Sequence, residues 1–118
     1  MIPGAILFSQ LAHYNHYDIG LRIVPSYNGR PAIACGEVRY NHTKVRSSTQ
    51  VLEDNAVGEL SQGMMVPILE FTRGNPVYGS DDRWDKVWWE GAERFVYSEL
   101  LRERDIRKCM PKRSSAAS

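Results

Sequence analysis

Apolar and polar positions alternate most clearly over Arg83 to Leu101, RWDKVWWEGAERFVYSELL. Two strand-like runs, Trp84 to Trp89 and Phe95 to Tyr97, flank a polar turn, Glu90-Gly91-Ala92-Glu93. A period of two puts Asp85, Val87 and Trp89 on one face and Trp84, Lys86 and Trp88 on the other. A glycine in a short polar loop between two β-prone runs predicts a hairpin. Both faces of the first strand carry a Trp, which a sheet with one solvated face does not require. The pattern therefore predicts a cover on the second face: a chain terminus, a ligand or a partner protein.

Elsewhere the runs are shorter. Leu7, Leu11 and Tyr14 fall at helical spacing, predicting a short helix from about Ala5 to His13. Ile19 to Val24 reads as a strand returning through Ala32 to Cys35, with Tyr27-Asn28-Gly29-Arg30 as the turn, because Asn-Gly accepts positive φ at both positions. Pro25 and Pro31 flank that turn and, lacking backbone donors, favour an edge hairpin. Glu37 to Tyr40, Lys44 to Arg46, Ala56 to Leu60 and Met64 to Phe71 are further strands, with an edge or bulge expected at Pro67. Ser47 to Glu53 is polar and irregular. Thr72 to Asp82, rich in Gly, Pro, Asn and Asp, predicts a loop. Ser98 to Arg104 predicts one helical turn leading into a basic tail, and Ser114 to Ser118 a disordered end.

Composition narrows this picture modestly. The 118 residues make one small domain, and 42% hydrophobic with 25% charged content is ordinary for a folded chain. A net charge of +1 offers no overall attraction to nucleic acid or to an anionic membrane. No apolar run approaches the roughly 20 residues that span a bilayer. The start of the chain lacks the basic and long apolar regions of a signal peptide, so virion or cytoplasm is expected over secretion by that route.

Catalytic groupings are poor. Cys35 with His13, His16 or His42 could be written as a thiol–imidazole pair, but no motif supports it, and a small buried apolar side chain is the simpler reading of Cys35. His13 and His16 are three apart, yet no carboxylate or thiol completes a metal site. Asp81, Asp82 and Asp85 could meet a hard cation, although a solvated loop accounts for them. Arg102, Arg104, Arg107, Lys108, Lys112 and Arg113 form a basic end, diluted by Glu99, Glu103 and Asp105. No cofactor, metal or catalytic residue is predicted.

Five short motifs in order carry a family resemblance: Lys44-Val45-Arg46-Ser47-Ser48, Val57 to Gly63, Val66 to Leu69, Trp84-Asp85-Lys86-Val87, and Phe95-Val96-Tyr97-Ser98 to Leu101. Over about residues 36–101 the chain resembles bacterial SH3-like (SH3b) domains. It departs from their pattern at Lys44, at Thr49-Gln50 and at Arg94, and Thr72 to Arg83 is longer than usual. The resemblance implies an all-β, small SH3-like barrel of five to six short strands. Residues 1–35 then form a helix-plus-hairpin extension and residues 102–118 a basic, partly helical tail. It also implies a module that binds rather than catalyses. The candidate groove residues carried over are Tyr78, Asp82, Trp84, Trp88 and Tyr97, where aromatic faces stack on a ligand and an acid pairs a cation. Trp89 reads as core, whereas Trp84 and Trp88 read equally as core or contact residues. Because such barrels bring their ends together, a Cys35–Cys109 bridge is conceivable in an oxidising setting; with no export signal, free thiols are expected.

The extension lies outside the resemblance and has no core of its own, so it must pack on its own barrel, on another copy or on another protein. The sequence therefore predicts a non-catalytic protein-interaction module in a larger assembly, such as a phage or virion particle, with protein partners or self-association through the N-terminal arm. The alternative is a cell-wall module that binds peptidoglycan.

Overall fold

The computed structural model describes residues 24–110, so the predicted helix at Ala5 to His13, nearly all of the strand at Ile19 to Val24, and the last eight residues lie outside the description. The chain divides into two compact units, residues 1–32 and 33–118. Within the first, β1 (Ser26–Tyr27) and β2 (Arg30–Pro31) make a separate two-stranded ladder. Asn28 and Gly29 both take positive φ, 53° and 78°, as a two-residue primed turn demands. The returning strand is thus Arg30–Pro31. The predicted partner, Ala32 to Cys35, instead contributes Ala34 and Cys35 to the next strand.

The second unit is all-β. Its strands are β3 (Ala34–Val38), β4 (Thr43–Arg46), β5 (Ala56–Leu60), β6 (Met65–Tyr78), β7 (Asp81–Trp89), β8 (Ala92–Tyr97) and β9 (Leu101–Arg104). They form one antiparallel sheet in the order β5-β4-β8-β7-β6-β3-β9. The expected closed barrel of five to six strands is corrected here: seven strands pair, and β5 and β9 end the sheet without pairing each other. The terminal strands carry charges that blunt their open edges. On β9, Arg104 donates to Glu37 at 2.7 Å; beside β5, His42 and Lys44 both reach Glu59.

The predicted helix at Ser98 to Arg104 is also corrected. Ser98–Leu100 is a single 3-10 turn, after which Leu101–Arg104 extends against β3. The supposed tail therefore begins inside the sheet. A second 3-10 turn, Ile106–Cys109, is capped by the Asp105 side chain, which accepts from the Arg107 N–H at 2.9 Å. Ile106 is buried there.

Thr72 to Asp82 is not a loop. β6 continues to Tyr78, and β7 starts at Asp81, leaving only Gly79-Ser80 as the connection. The residues that suggested a loop fall in a register shift between Arg73↔Arg83 and Tyr78↔Asp81. A bulge absorbs Gly74 and Pro76 without ending the pairing. A second shift, between Ile68 and Glu70, lies beside Pro67, as the missing donor predicts.

The Trp-rich hairpin forms, with a turn shortened to Glu90-Gly91 and with Trp89 paired to Ala92. Alternation along β7 sets the core. Val87 joins Ala34, Val38, Val45, Leu60, Val66, Ile68, Val96 and Leu101, and Trp89 packs against them as expected. The opposite face carries Trp84, beside its register partner Tyr97.

Among the described residues that face is met by an internal segment, which the expected terminus, ligand or partner did not include: Val51 shares a cavity with Trp84 and Tyr97. Asn75 N–H donates to Thr49 O at 2.8 Å, and Val51 N–H donates to Asn75 Oδ1 at 3.1 Å. These bonds dock the 47–55 loop on the far half of β6. Inside the loop, buried Asn55 donates to Gln50 O and Ser48 Oγ and accepts from Arg46 and Leu52 N–H. The docking needs a glycine at position 74, where a Cβ would lie 2.2 Å from Thr49 O. Gly74→Ala is expected to cost about 1–3 kcal/mol, the range for overpacking a tight site. A urea titration checks this, and an unchanged midpoint would remove the loop from the list of stabilising contacts.

The cysteines are joined: Cys35 and Cys109 form a disulfide with Cα atoms 5.5 Å apart, which corrects the expectation of free thiols. The continuation of the chain through β9 brings the second 3-10 turn beneath β3, where Cys35 is fully buried.

Candidate functional site

Three of the five predicted groove residues come together. Tyr97 meets Tyr78 edge-on at 5.5 Å and Trp84 edge-on at 5.6 Å. Tyr97 Oη donates to Asp81 O at 2.6 Å and accepts from Tyr78 N–H at 3.2 Å. Trp84 Nε1–H donates to Asn75 O at 2.8 Å. Trp84 and Tyr97 are buried, 1% and 2% exposed, so neither offers an open stacking face. Tyr78 is exposed. Asp82 pairs with Arg73 instead, and half-buried Trp88 sits four residues along β7, opposite Glu93.

Trp84 borders two of the open cavities, and the smaller, of about 180 Å3, is shared with Lys44, Arg46, Val51, Val77, Tyr97 and Leu100. The larger, of about 320 Å3, is bordered by Phe71, Arg73, Arg83, Trp84, Ser98 and Glu103. Its neighbour, of about 240 Å3, shares Phe71, Arg83, Ser98 and Glu103 and adds Arg39, Asp85 and Glu99. Strand alternation explains the unusual member. Asp85 is on the core-facing side of β7, paired with Phe71 on β6 and Val96 on β8, and only 3% exposed. Ser98, at the start of the 3-10 turn, donates to Asp85 Oδ1 at 2.6 Å. Phe71, by contrast, is half exposed at the rim.

Burial pushes the Asp85 carboxyl up to about 6, with the nearby Glu103 charge adding to it and the Ser98 hydroxyl and Arg83 pulling it back. Between the ordinary carboxyl range and pH 6 the folded chain holds a proton that the unfolded chain releases. The stability from this group is therefore fully present below about pH 4 and is lost as pH rises through 6. The shift from 3.8 to about 6 corresponds to about 3 kcal/mol. Asp85→Asn is expected to remove most of that loss and raise stability at pH 7. Urea titrations of both chains at pH 4 and pH 7 check this; equal pH slopes would contradict it.

The cations at the cavity are already engaged. Arg83 makes a two-pronged contact with Asp81, 2.9 Å on each arm, which holds the Asp81 carboxyl down to about 2. Arg73 pairs with Asp82, and Arg39 donates to Glu99 O at 3.2 Å with Oε2 at 3.5 Å. Asp81, Asp82 and Asp85 therefore serve three different partners and do not converge on a cation. No group of three or more His, Cys, Asp and Glu is placed to hold a metal among the described residues. The sequence reading missed Phe71, Ser98 and Glu103. Its one available signal was a carboxylate between Trp84 and Val87 on a core-facing strand position.

No helix among the described residues is long and apolar enough to cross a membrane. Comparison of the chain with family models, with curated proteins and with solved structures found no match.

Proposed function

We propose that this chain is an SH3-like domain that works by protein–protein contact within a larger assembly, such as a phage or virion particle. The observation that carries this reading is the surface of the β6–β7 hairpin. Phe71, Val77 and Tyr78 are 51%, 40% and 56% exposed along β6; Phe71 borders the two charged cavities and Val77 a third, of about 180 Å3. Large apolar side chains left exposed next to polar rims are characteristic of contact surfaces. Burial of Trp84 and Tyr97 weighs against a wall-binding groove built on their ring faces. The disulfide adds that the domain matures or works in an oxidising space, since thiols stay reduced in most cytosols.

Measurement of the mass of the full chain in solution over a range of concentrations tests this. A mass above one chain that falls to one chain in a Phe71→Ser/Tyr78→Ser variant is expected. A monomer at every concentration that sediments with purified cell walls would overturn the assembly reading in favour of peptidoglycan binding.

A further inference from the structure

The cavity beside Asp85 has an uncompensated charge. Of the five ionisable side chains that face it, Arg83 is committed to Asp81 and Arg39 to Glu99. Glu103 on β9 and Asp85 on β7 make no ion pair among the described residues. Asp85 is 3% exposed, yet only Oδ1 is engaged, by Ser98; Oδ2 makes no hydrogen bond among the described residues, and the side chain lines the cavity. A carboxylate this deeply placed at the wall of an open volume gains from a cation brought there. Metal ions fit poorly, because two carboxylates here are not joined by a third ligand. An organic cation on an apolar stem fits better. Phe71 provides an exposed aromatic rim on which methylenes or a cation can rest, and about 240 Å3 admits a long side chain.

We propose that this cavity receives a lysine or arginine side chain presented by a partner protein, with Asp85 and Glu103 as its counter-charges and Phe71 as the rim for its stem. The inference rests on the protein-contact reading above and names the chemistry that the partner brings. The charged groups around Asp85 are Glu103 from β9, Arg83 from β7, Arg39, and Glu99 from the 3-10 turn. With both arginines already paired, binding strengthens as Asp85 ionises and weakens below about pH 6.

The test is an amide-resonance titration of the full chain with three acetylated, amidated pentapeptides, Gly-Gly-X-Gly-Gly, where X is lysine, arginine or norleucine. The lysine or arginine peptide is expected to give saturable shifts at Phe71, Asp85, Ser98 and Glu103 at pH 7.5. Norleucine, which has the stem without the charge, should bind at least tenfold more weakly. Asp85→Asn keeps the shape and a Ser98 partner, and Glu103→Gln sits on an exposed strand. Each should weaken the charged peptides at least severalfold while leaving the remaining spectrum in place. Equal shifts with norleucine, no saturable shift with either charged peptide, or undiminished binding to both variants would overturn the proposal. The two readings can fail separately: a chain that assembles normally but ignores the charged peptides loses only the cavity assignment. A monomer that binds them through Asp85 loses only the assembly.

Discussion

Removal of the Cys35–Cys109 bridge is expected to destabilise the sheet unit by about 4 kcal/mol. The two cysteines are 74 residues apart, so the closed loop takes in nearly all of β3 to β9. In the chain-entropy view, a loop of this length restricts the unfolded chain by about 4 kcal/mol. The native side points the same way. Among the described residues β9 is an edge strand paired with β3 alone, and the 3-10 turn that follows it buries one apolar side chain, Ile106. Without the bridge, β9 and the turn after it are held among the described residues by the β3 ladder, the Glu37 ion pairs and Ile106, and they should open first. Urea unfolding with and without a reductant, repeated on a Cys35→Ser/Cys109→Ser variant, measures the effect. Fast amide exchange confined to β9 and the last turn in the reduced protein would identify the place of failure. Identical midpoints in the three samples would show that the bridge contributes nothing to the fold.

Trp84→Ala is expected to cost about 3–5 kcal/mol, the range for deleting a large buried aromatic side chain. Trp84 is 1% exposed, packs edge-on to Tyr97, and donates its indole N–H to Asn75 O. Its loss opens a cavity and leaves a carbonyl unbonded in the bulge where the 47–55 loop docks. Trp84→Phe separates the two contributions, since it keeps most of the volume and removes only the donor. A cost near 1 kcal/mol is expected for that variant. Both are read from urea midpoints. If Trp84→Ala left stability unchanged but abolished binding to a partner, Trp84 would be a contact residue, as its place among the predicted groove residues implies.

The stability predictions bear on function through Asp85. The same carboxylate is expected to cost stability at neutral pH and to supply the charge that the cavity offers. Asp85→Asn should therefore make a more stable protein that binds basic peptides less well, a trade common where a site is kept at the expense of the fold.

Much of the architecture was legible from local patterns. Alternation placed the β7–β8 hairpin and assigned Trp89 to the core, and Asn28-Gly29 marked a hairpin turn, because period and φ preference act over a few residues. Those signals also predicted an all-β fold. Three other features depended on pairings distant in sequence. Breaker residues after Phe71 read as a loop because the β7 partner that carries the ladder past the bulge is invisible to composition. Ser98 to Arg104 read as helical because the edge of β3, which draws Leu101–Arg104 into extension, lies more than 60 residues away. The same long-range pairing brings Cys109 under Cys35 and so determines the bridge.

The candidate site divides along the same line. The sequence alone determined, through alternation, that the strand would carry a Trp on each face; the grouping of Tyr78 and Tyr97 with Trp84 was an expectation from the resemblance. Only the tertiary structure decided that the 47–55 loop docks on β6, that Trp84 and Tyr97 are buried, and that Asp85 and Glu103 share a cavity. The physical reason is that burial and charge compensation belong to sets of residues, not to positions. Asp85 becomes a site because Asp81 and Glu99 have taken the neighbouring arginines, and that division is made by the packing of four separate segments.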